Sequence, residues 1–207
     1  MRLCVFDFDS TLMDGETIDF LAGALGLKEK VAEITEMAMR GELDFFESLI
    51  TRVKLLEGLE VEKVDEICHN LPFMPGAKET IQELKNRGVT VVVFSGGFRN
   101  ATGHAREVLG FDADFSNVLH AKEGRLTGLV GGEMMFDFSK GDMLERLQNI
   151  LGVSPDETMA VGDGANDRSM FRHASKRVAF NAKEILKKEA NIVIDKKDLR
   201  EVLNYLD

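Results

Sequence analysis

Three short apolar runs, each ending abruptly in acidic, hydroxyl or glycine residues, constrain this chain more than any other feature. They are Cys4-Val-Phe-Asp-Phe-Asp-Ser-Thr, Val91-Val-Val-Phe-Ser-Gly-Gly and Met159-Ala-Val-Gly-Asp-Gly-Ala-Asn-Asp. A β-branched run without polar alternation suits a strand covered on both faces. Segments with helical spacing alternate with these runs: residues 77–87 closed by Gly88, a stretch ending near Leu109 and Gly110, residues 140–151, a segment reaching about 190, and a last one near 199–206. Strands alternating with helices predict an α/β fold with a doubly wound parallel sheet, which binds ligands outside the carboxyl ends of its strands. In such a sheet the three polar tails share one edge.

Residues 15–74 break that rhythm. Ile18, Leu21, Ala22 and Leu25 recur with helical spacing until Gly26, a second helix covers about 29–40, and a fourth covers about 61–70. The third starts at Asp44, where Glu47 stands at the N3 position of a capping box. Four helices without a strand predict a helical cap domain at 15–74, inserted into a core built from 1–14 and 75–207. Glycines alternating with apolar residues predict a small β-hairpin insertion at about 120–136.

The acidic balance narrows the partners. Asp and Glu number 36 against 26 Lys and Arg, a net charge of −10, and such a surface repels nucleic acid and anionic lipid. No run approaches 18 apolar residues and no charged-then-apolar leader precedes the first strand. Cys4 and Cys68 stand alone, which points to a reducing compartment. The expectation is a cytoplasmic monomer or homodimer acting on a small molecule, with no nucleic acid and no membrane partner. An anionic substrate requires a locally positive site. One opposite charge at about 4 Å, at an effective dielectric near 20, is worth roughly 4 kcal/mol before desolvation.

Asp7 and Asp9 sit at the end of a strand that should be buried, and an unpaired buried carboxylate is costly. They need a metal ion or a cationic side chain, or else the strand simply ends in an Asx turn with a Ser/Thr cap. Asp7, Asp9 and Asp163 are hard oxygen ligands of the kind Mg²⁺ takes. Ser95 with the N–H groups of Gly96 and Gly97 can cradle an anion, or form an ordinary tight turn. Lys140 begins a helix, where the dipole disfavours a cation, with Ser139 as the capping residue. It either covers surface or holds a nucleophile and a phosphate together.

DFDST, VVVFSGG, the lone Lys140 and VGDGAND, in that order, resemble the four ordered motifs of the haloacid dehalogenase superfamily of phosphotransferases, and the likeness runs nearly end to end. The resemblance implies that Asp7 is a nucleophile forming an aspartyl-phosphate and that Asp9 is the acid and base. It implies Mg²⁺ as cofactor, held by the Asp7 side chain, the Asp9 carbonyl and Asp163. Ser95, Gly96, Gly97 and Lys140 would hold the phosphoryl group and Asn166 would touch it. Thr11 and Asp167 would have supporting roles, Asp167 by orienting neighbours or outer-shell waters.

Within that superfamily the chain is similar to members that hydrolyse O-phospho-L-serine to L-serine, the last step of serine synthesis. There Glu16 and Arg52 would pair with the ammonium and carboxylate, with Met39 and Phe45 as apolar walls. Phe45, Leu49 and Arg52 fall at i, i+4 and i+7, one helix face. The plainer readings are first-turn charge for Glu16, a surface ion pair for Arg52, and core for Met39 and Phe45. The chain begins six residues before Asp7, which implies that it lacks the N-terminal extra domain of longer relatives and their feedback sensing. His69, His104, His120 and His173 share no ligand spacing and are expected to be structural or exposed. The rival readings are a phosphatase or phosphotransferase for another small phosphomonoester, and a non-catalytic phosphoamino-acid binding module.

Overall fold

The computed structural model describes residues 1–39 and 42–206, with Met39 described by its main chain alone. β1 (Leu3–Asp7) is followed by four helices, α1 (Thr17–Ala24), α2 (Lys28–Met39), α3 (Phe45–Lys54) and α4 (Val61–His69). Then come α5 (Ala77–Asn86), β2 (Thr90–Phe98), α6 (Arg99–Leu109), β3 (Ala113–Lys122), β4 (Arg125–Gly132) and α7 (Ser139–Leu151). β5 (Thr158–Gly162), α8 (Arg168–Phe171), β6 (Lys176–Phe180), α9 (Glu184–Lys187) and β7 (Ile192–Ile194) complete the alternation, before a 3-10 segment at Leu199–Tyr205.

The seven strands form one sheet in the order β4-β3-β2-β1-β5-β6-β7, parallel throughout except between β3 and β4. β1 lies centrally, with Asp7 opposite Phe94 of β2 and Phe6 opposite Val161 of β5. The ends of the three apolar runs are therefore neighbours. Successive residues of β1 face opposite sides. Leu3 and Val5 share a core with Leu144, Met170 and Phe171, whereas Cys4 and Phe6 share one with Ile81, Ala105 and Leu199. Helices cover both faces, so the run has no polar alternation. Each such side chain contributes roughly 1.5–3 kcal/mol by leaving water.

Helices α1–α4 pack on one another and rest on β2, β4 and α6. The chain leaves for them and returns at one point: the Asp14 N–H donates to the Pro72 carbonyl and the Met74 N–H to the Leu12 carbonyl, both at 2.8 Å. The far end of the helical segment joins the β3–β4 hairpin. The Gly58 N–H donates to Leu126 and the Leu126 N–H to Leu59, both at 2.8 Å, and the Val61 N–H donates to Gly124 at 2.9 Å. α3 begins with the expected capping box, Glu47 N–H to Asp44 Oδ1 at 2.8 Å and Asp44 N–H to Glu47 Oε2 at 3.0 Å.

Several local expectations change. The hairpin anticipated at about 120–136 turns at Glu123 and Gly124, but its first strand begins at Ala113 and pairs with β2. Ser116 and Asn117, fully buried polar residues, hid that strand from an apolar pattern. Ser95, Gly96 and Gly97 are not a tight turn, because β2 continues to Phe98 with a register shift between Phe94 and Phe98. Ser139 does not cap α7; Phe138 holds the cap position, and the Ser139 hydroxyl accepts from the Phe136 N–H at 3.1 Å. The helix expected to reach 190 shrinks to α9. Asn191 binds the main chain around β6 instead, accepting from the Arg177 N–H at 2.8 Å and donating to the Ser175 carbonyl at 2.6 Å. Among the described residues no helix is long and apolar enough to cross a membrane.

Candidate active site

β1 delivers Asp7 to the sheet edge. Its Oδ1 accepts from the Phe8 N–H at 2.7 Å and from Lys140 Nζ at 2.6 Å. The same Nζ donates to Asp167 Oδ1 at 2.5 Å. Asp167 Oδ2 accepts from the N–H groups of Asp163 and Gly164, both at 3.0 Å, so the loop after β5 curls around that carboxylate. A Cβ at Gly162 would lie 2.4 Å from the Asp167 carboxyl, so glycine makes the curl possible. The cation at the start of α7 is explained: Lys140 is buried and bridges two buried acids. Each ion pays heavily in desolvation, so removal of any one strands the others.

Burial, then the charge of Asp167, lifts the Asp7 carboxyl well above the usual range despite the pull of Lys140. Burial and Asp167 also push Asp163 up to about 6. For Lys140 burial acts downward, but Asp167 and Asp7 outweigh it and hold the ammonium above its ordinary value. The cluster is thus richer in buried negative charge than its own lysine can offset.

Asp9 is held from two sides. Its Oδ1 accepts from both the N–H and the hydroxyl of Thr17 at 2.6 Å, and its Oδ2 accepts from the Ser95 hydroxyl at 3.2 Å. Burial raises its carboxyl above the usual range, although Thr17 and Ser95 act against the shift. Ser95 Oγ accepts from the Gly97 N–H at 2.9 Å, so that amide of the expected cradle is already engaged. A Cβ on Gly97 would lie 2.6 Å from Asp9 Oδ2. Ser10, left-handed at φ 57°, donates from Oγ to Glu16 Oε1 at 2.7 Å, and burial followed by the charge of Asp9 raises Glu16 to about 7.

A cavity of about 610 Å³ opens above these groups, lined among others by Asp7, Asp9, Glu16, Phe45, Leu49, Arg52, Gly96, Gly97, Asp163 and Asn166. Arg52 donates from Nε to the Ser48 carbonyl at 3.2 Å, and burial lowers its guanidinium below the ordinary value. Phe45 closes on the strand extension, since a Cβ at Gly96 would meet its Cζ at 3.0 Å. Ser95, Lys140 and Asp167 stand behind this lining. Thr11 is fully buried with an unpartnered hydroxyl and does not line the cavity. The Met39 side chain, expected as an apolar wall, lies outside the described residues.

Three residues of the site carried no motif. Thr17 fixes Asp9. Asn117 braces the strand extension, donating to the carbonyls of Gly96 at 3.0 Å and Met134 at 3.1 Å while accepting from the Met134 N–H at 3.0 Å. Lys183 lines the cavity, and its N–H donates to the Asp163 carbonyl at 2.9 Å. None of the three stood out in the sequence, because β3, which carries Asn117, was itself hidden.

Carboxylate oxygens of Asp7, Asp163 and Asp167 lie within 4.8 Å of one another. Hard oxygen donors packed this closely, and short of positive charge, fit a divalent cation. The Asp9 side chain is not among them, its oxygens being taken by Thr17 and Ser95.

The family described as haloacid dehalogenase-like hydrolase matches residues 1–175. A phosphoserine phosphatase of Wolinella succinogenes is 66% identical over 206 residues, covering 100% of both chains. One from Methanocaldococcus jannaschii is 50% identical over 205 residues, 99% of this chain and 97% of the other. A solved phospho-aspartyl intermediate analogue of phosphoserine phosphatase superposes with a TM-score of 0.94 at 50% identity, covering 100% of this chain and 99% of that one. A substrate-bound phosphoserine phosphatase complex gives 0.95 at 49% identity, covering 100% and 98%.

Proposed function

This chain belongs to the haloacid dehalogenase-like hydrolase family, and on that premise we propose that it hydrolyses O-phospho-L-serine to L-serine and phosphate, the closing step of serine synthesis. The observation that carries the reading is the meeting of Asp7, Lys140, Asp163 and Asp167 beside a cavity that also exposes Glu16 and Arg52.

The Asp7 carboxylate attacks phosphorus, the bond from phosphorus to the serine oxygen breaks, and an aspartyl-phosphate forms. Its orientation is fixed in advance by the Phe8 N–H and Lys140. Asp9, whose raised carboxyl retains a proton more readily than an exposed acid, protonates the departing serine oxygen. It then takes a proton from the water that cleaves the acyl phosphate. Lys140 spreads positive charge towards the transferring phosphoryl group, and Gly96, Asn166 and the Ser95 hydroxyl, once it turns from Asp9, supply donors around it. Mg²⁺, held by the side chains of Asp7 and Asp163 with the Asp9 carbonyl, would offset the charge on the phosphoryl oxygens.

Selectivity falls to residues 15–74, which act as a lid domain. Arg52 offers a planar fork to the substrate carboxylate, Glu16 takes the ammonium, and Phe45 walls the methylene. Two free buried cysteines support a cytoplasmic setting, and the assembly is a monomer or homodimer. Phosphate release from phosphoserine with Mg²⁺, against a chelator control, tests the function. Asp7→Asn should abolish release while leaving the far-UV spectrum unchanged. Turnover that survives either the chelator or the substitution refutes the reading.

A further inference from the structure

The helical segment meets the core at both ends of α3, in different ways. Beyond the C-terminal end the join is main chain, through Gly58 and Leu59 to Leu126. At the N-terminal end it is aromatic. Phe46 stacks on Phe136 with centroids 5.1 Å apart and planes at 13°, and Phe136 stacks on Phe138 at 5.2 Å and 3°. The three rings remain 37%, 44% and 53% exposed, apolar surface of a kind that calls for a use. Their neighbours supply one. Phe45, next to Phe46, closes on Gly96, while Asp137, between the two core rings, also lines the cavity. Ser139 and Lys140 follow directly, and the Phe136 N–H is tied to the Ser139 hydroxyl.

We propose that Phe136 is a positioning residue: its stacking on Phe46 latches the N-terminal end of α3 onto the loop that delivers Lys140, and so seats the amino-acid-binding face over the phosphoryl site. The proposal rests on the reading of this cavity as a phosphoserine site. α3 has ten residues and is about 15 Å long. With its far end pinned to β4, tilting it about that end lifts Phe45 from Gly96 most and Arg52 least. Closing the latch restores the apolar wall. Opening costs one ring–ring contact, worth about fivefold in population beyond the area buried, which is strong enough to favour the shut form and weak enough to release at each turnover.

The test compares Phe136→Leu, which keeps apolar bulk without a ring, with Phe136→Tyr, which keeps the ring. Amide hydrogen exchange along α3 is followed in the Mg²⁺-loaded protein, with turnover of phosphoserine and of para-nitrophenyl phosphate, which lacks the amino-acid end. Phe136→Leu should speed exchange in the first half of α3 about fivefold and raise KM for phosphoserine by a smaller factor, about twofold. Its kcat for phosphoserine and its kcat/KM for the aryl phosphate should stay within about twofold, and Phe136→Tyr should match the parent. Parental exchange and KM in Phe136→Leu would overturn the proposal. So would equal losses on both substrates, which would mean a displaced Lys140, or a Tyr variant behaving like the Leu one. If the parent ignored phosphoserine, the assigned substrate would fall and the exchange comparison would still decide the latch.

Discussion

Glu16, proposed to take the substrate ammonium, weakens the fold at neutral pH. Its carboxyl is half-buried near Asp9 and Asp163, and burial lifts it from the ordinary 4.5 to about 7. In the unfolded chain it releases its proton near the ordinary value. Between the two values the folded chain binds more protons than the unfolded one, so stability falls as pH rises through that window. The cost is absent below about 4.5 and complete above about 7. At 1.36 kcal/mol per pH unit the full difference is about 3 kcal/mol, and partial exposure reduces it to about 2. Glu16→Gln keeps the acceptor for the Ser10 hydroxyl and loses the charge. Urea unfolding in chelator should find the variant more stable than the parent by about 2 kcal/mol at pH 8, with the gap closing towards pH 4.5. Phosphoserine KM at pH 8 should rise by roughly 10- to 100-fold, the worth of a charge-assisted hydrogen bond. A variant no more stable than the parent at pH 8, or a gap independent of pH, refutes the reasoning.

Lys140→Met should leave Asp7 and Asp167 facing each other without their cation. Measured by urea unfolding in chelator, it should cost about 3–5 kcal/mol, with phosphate release undetectable; parental stability would contradict the bridge. Gly97→Ala should push Asp9 out of line, because its Cβ falls 2.6 Å from Oδ2. A displacement near 1 Å costs roughly 10²-fold in kcat, with the thermal midpoint within a few degrees of the parent; an unchanged kcat would show that Asp9 tolerates the shift.

The meeting of Asp7, Lys140 and Asp163 was legible because these residues stand at points that the apolar pattern itself marks. Asp7 ends one buried strand, Asp163 follows another, and Lys140 stands at the start of a helix. Asp167 was harder to read, since its two oxygens serve Lys140 and the main chain of its own loop, a task that only the folded loop defines. Thr17 and Asn117 were invisible for a related reason. Each acts on a group brought to it by tertiary contact, Asp9 in one case and the Gly96 carbonyl in the other. The shortened α9 belongs to the same class, because a side chain from beyond it, Asn191, completes the hydrogen bonds of β6. Periodicity reports which face is dry; it does not report which distant carbonyl lacks a donor.

The paired linkers, Leu12 with Met74 and Asp14 with Pro72, make the helical segment a detour from the sheet. A segment that departs and returns through one doorway can be altered without moving β1, although a change that reaches Gly58, Leu59 or Val61 would disturb the β3–β4 hairpin to which they are tied. On the proposed reading, preference among phosphate esters could be altered within 15–74 while the sheet edge that carries Asp7 and Asp163 is left in place. Descendants of such a chain would inherit a common engine and differ in what they admit to it.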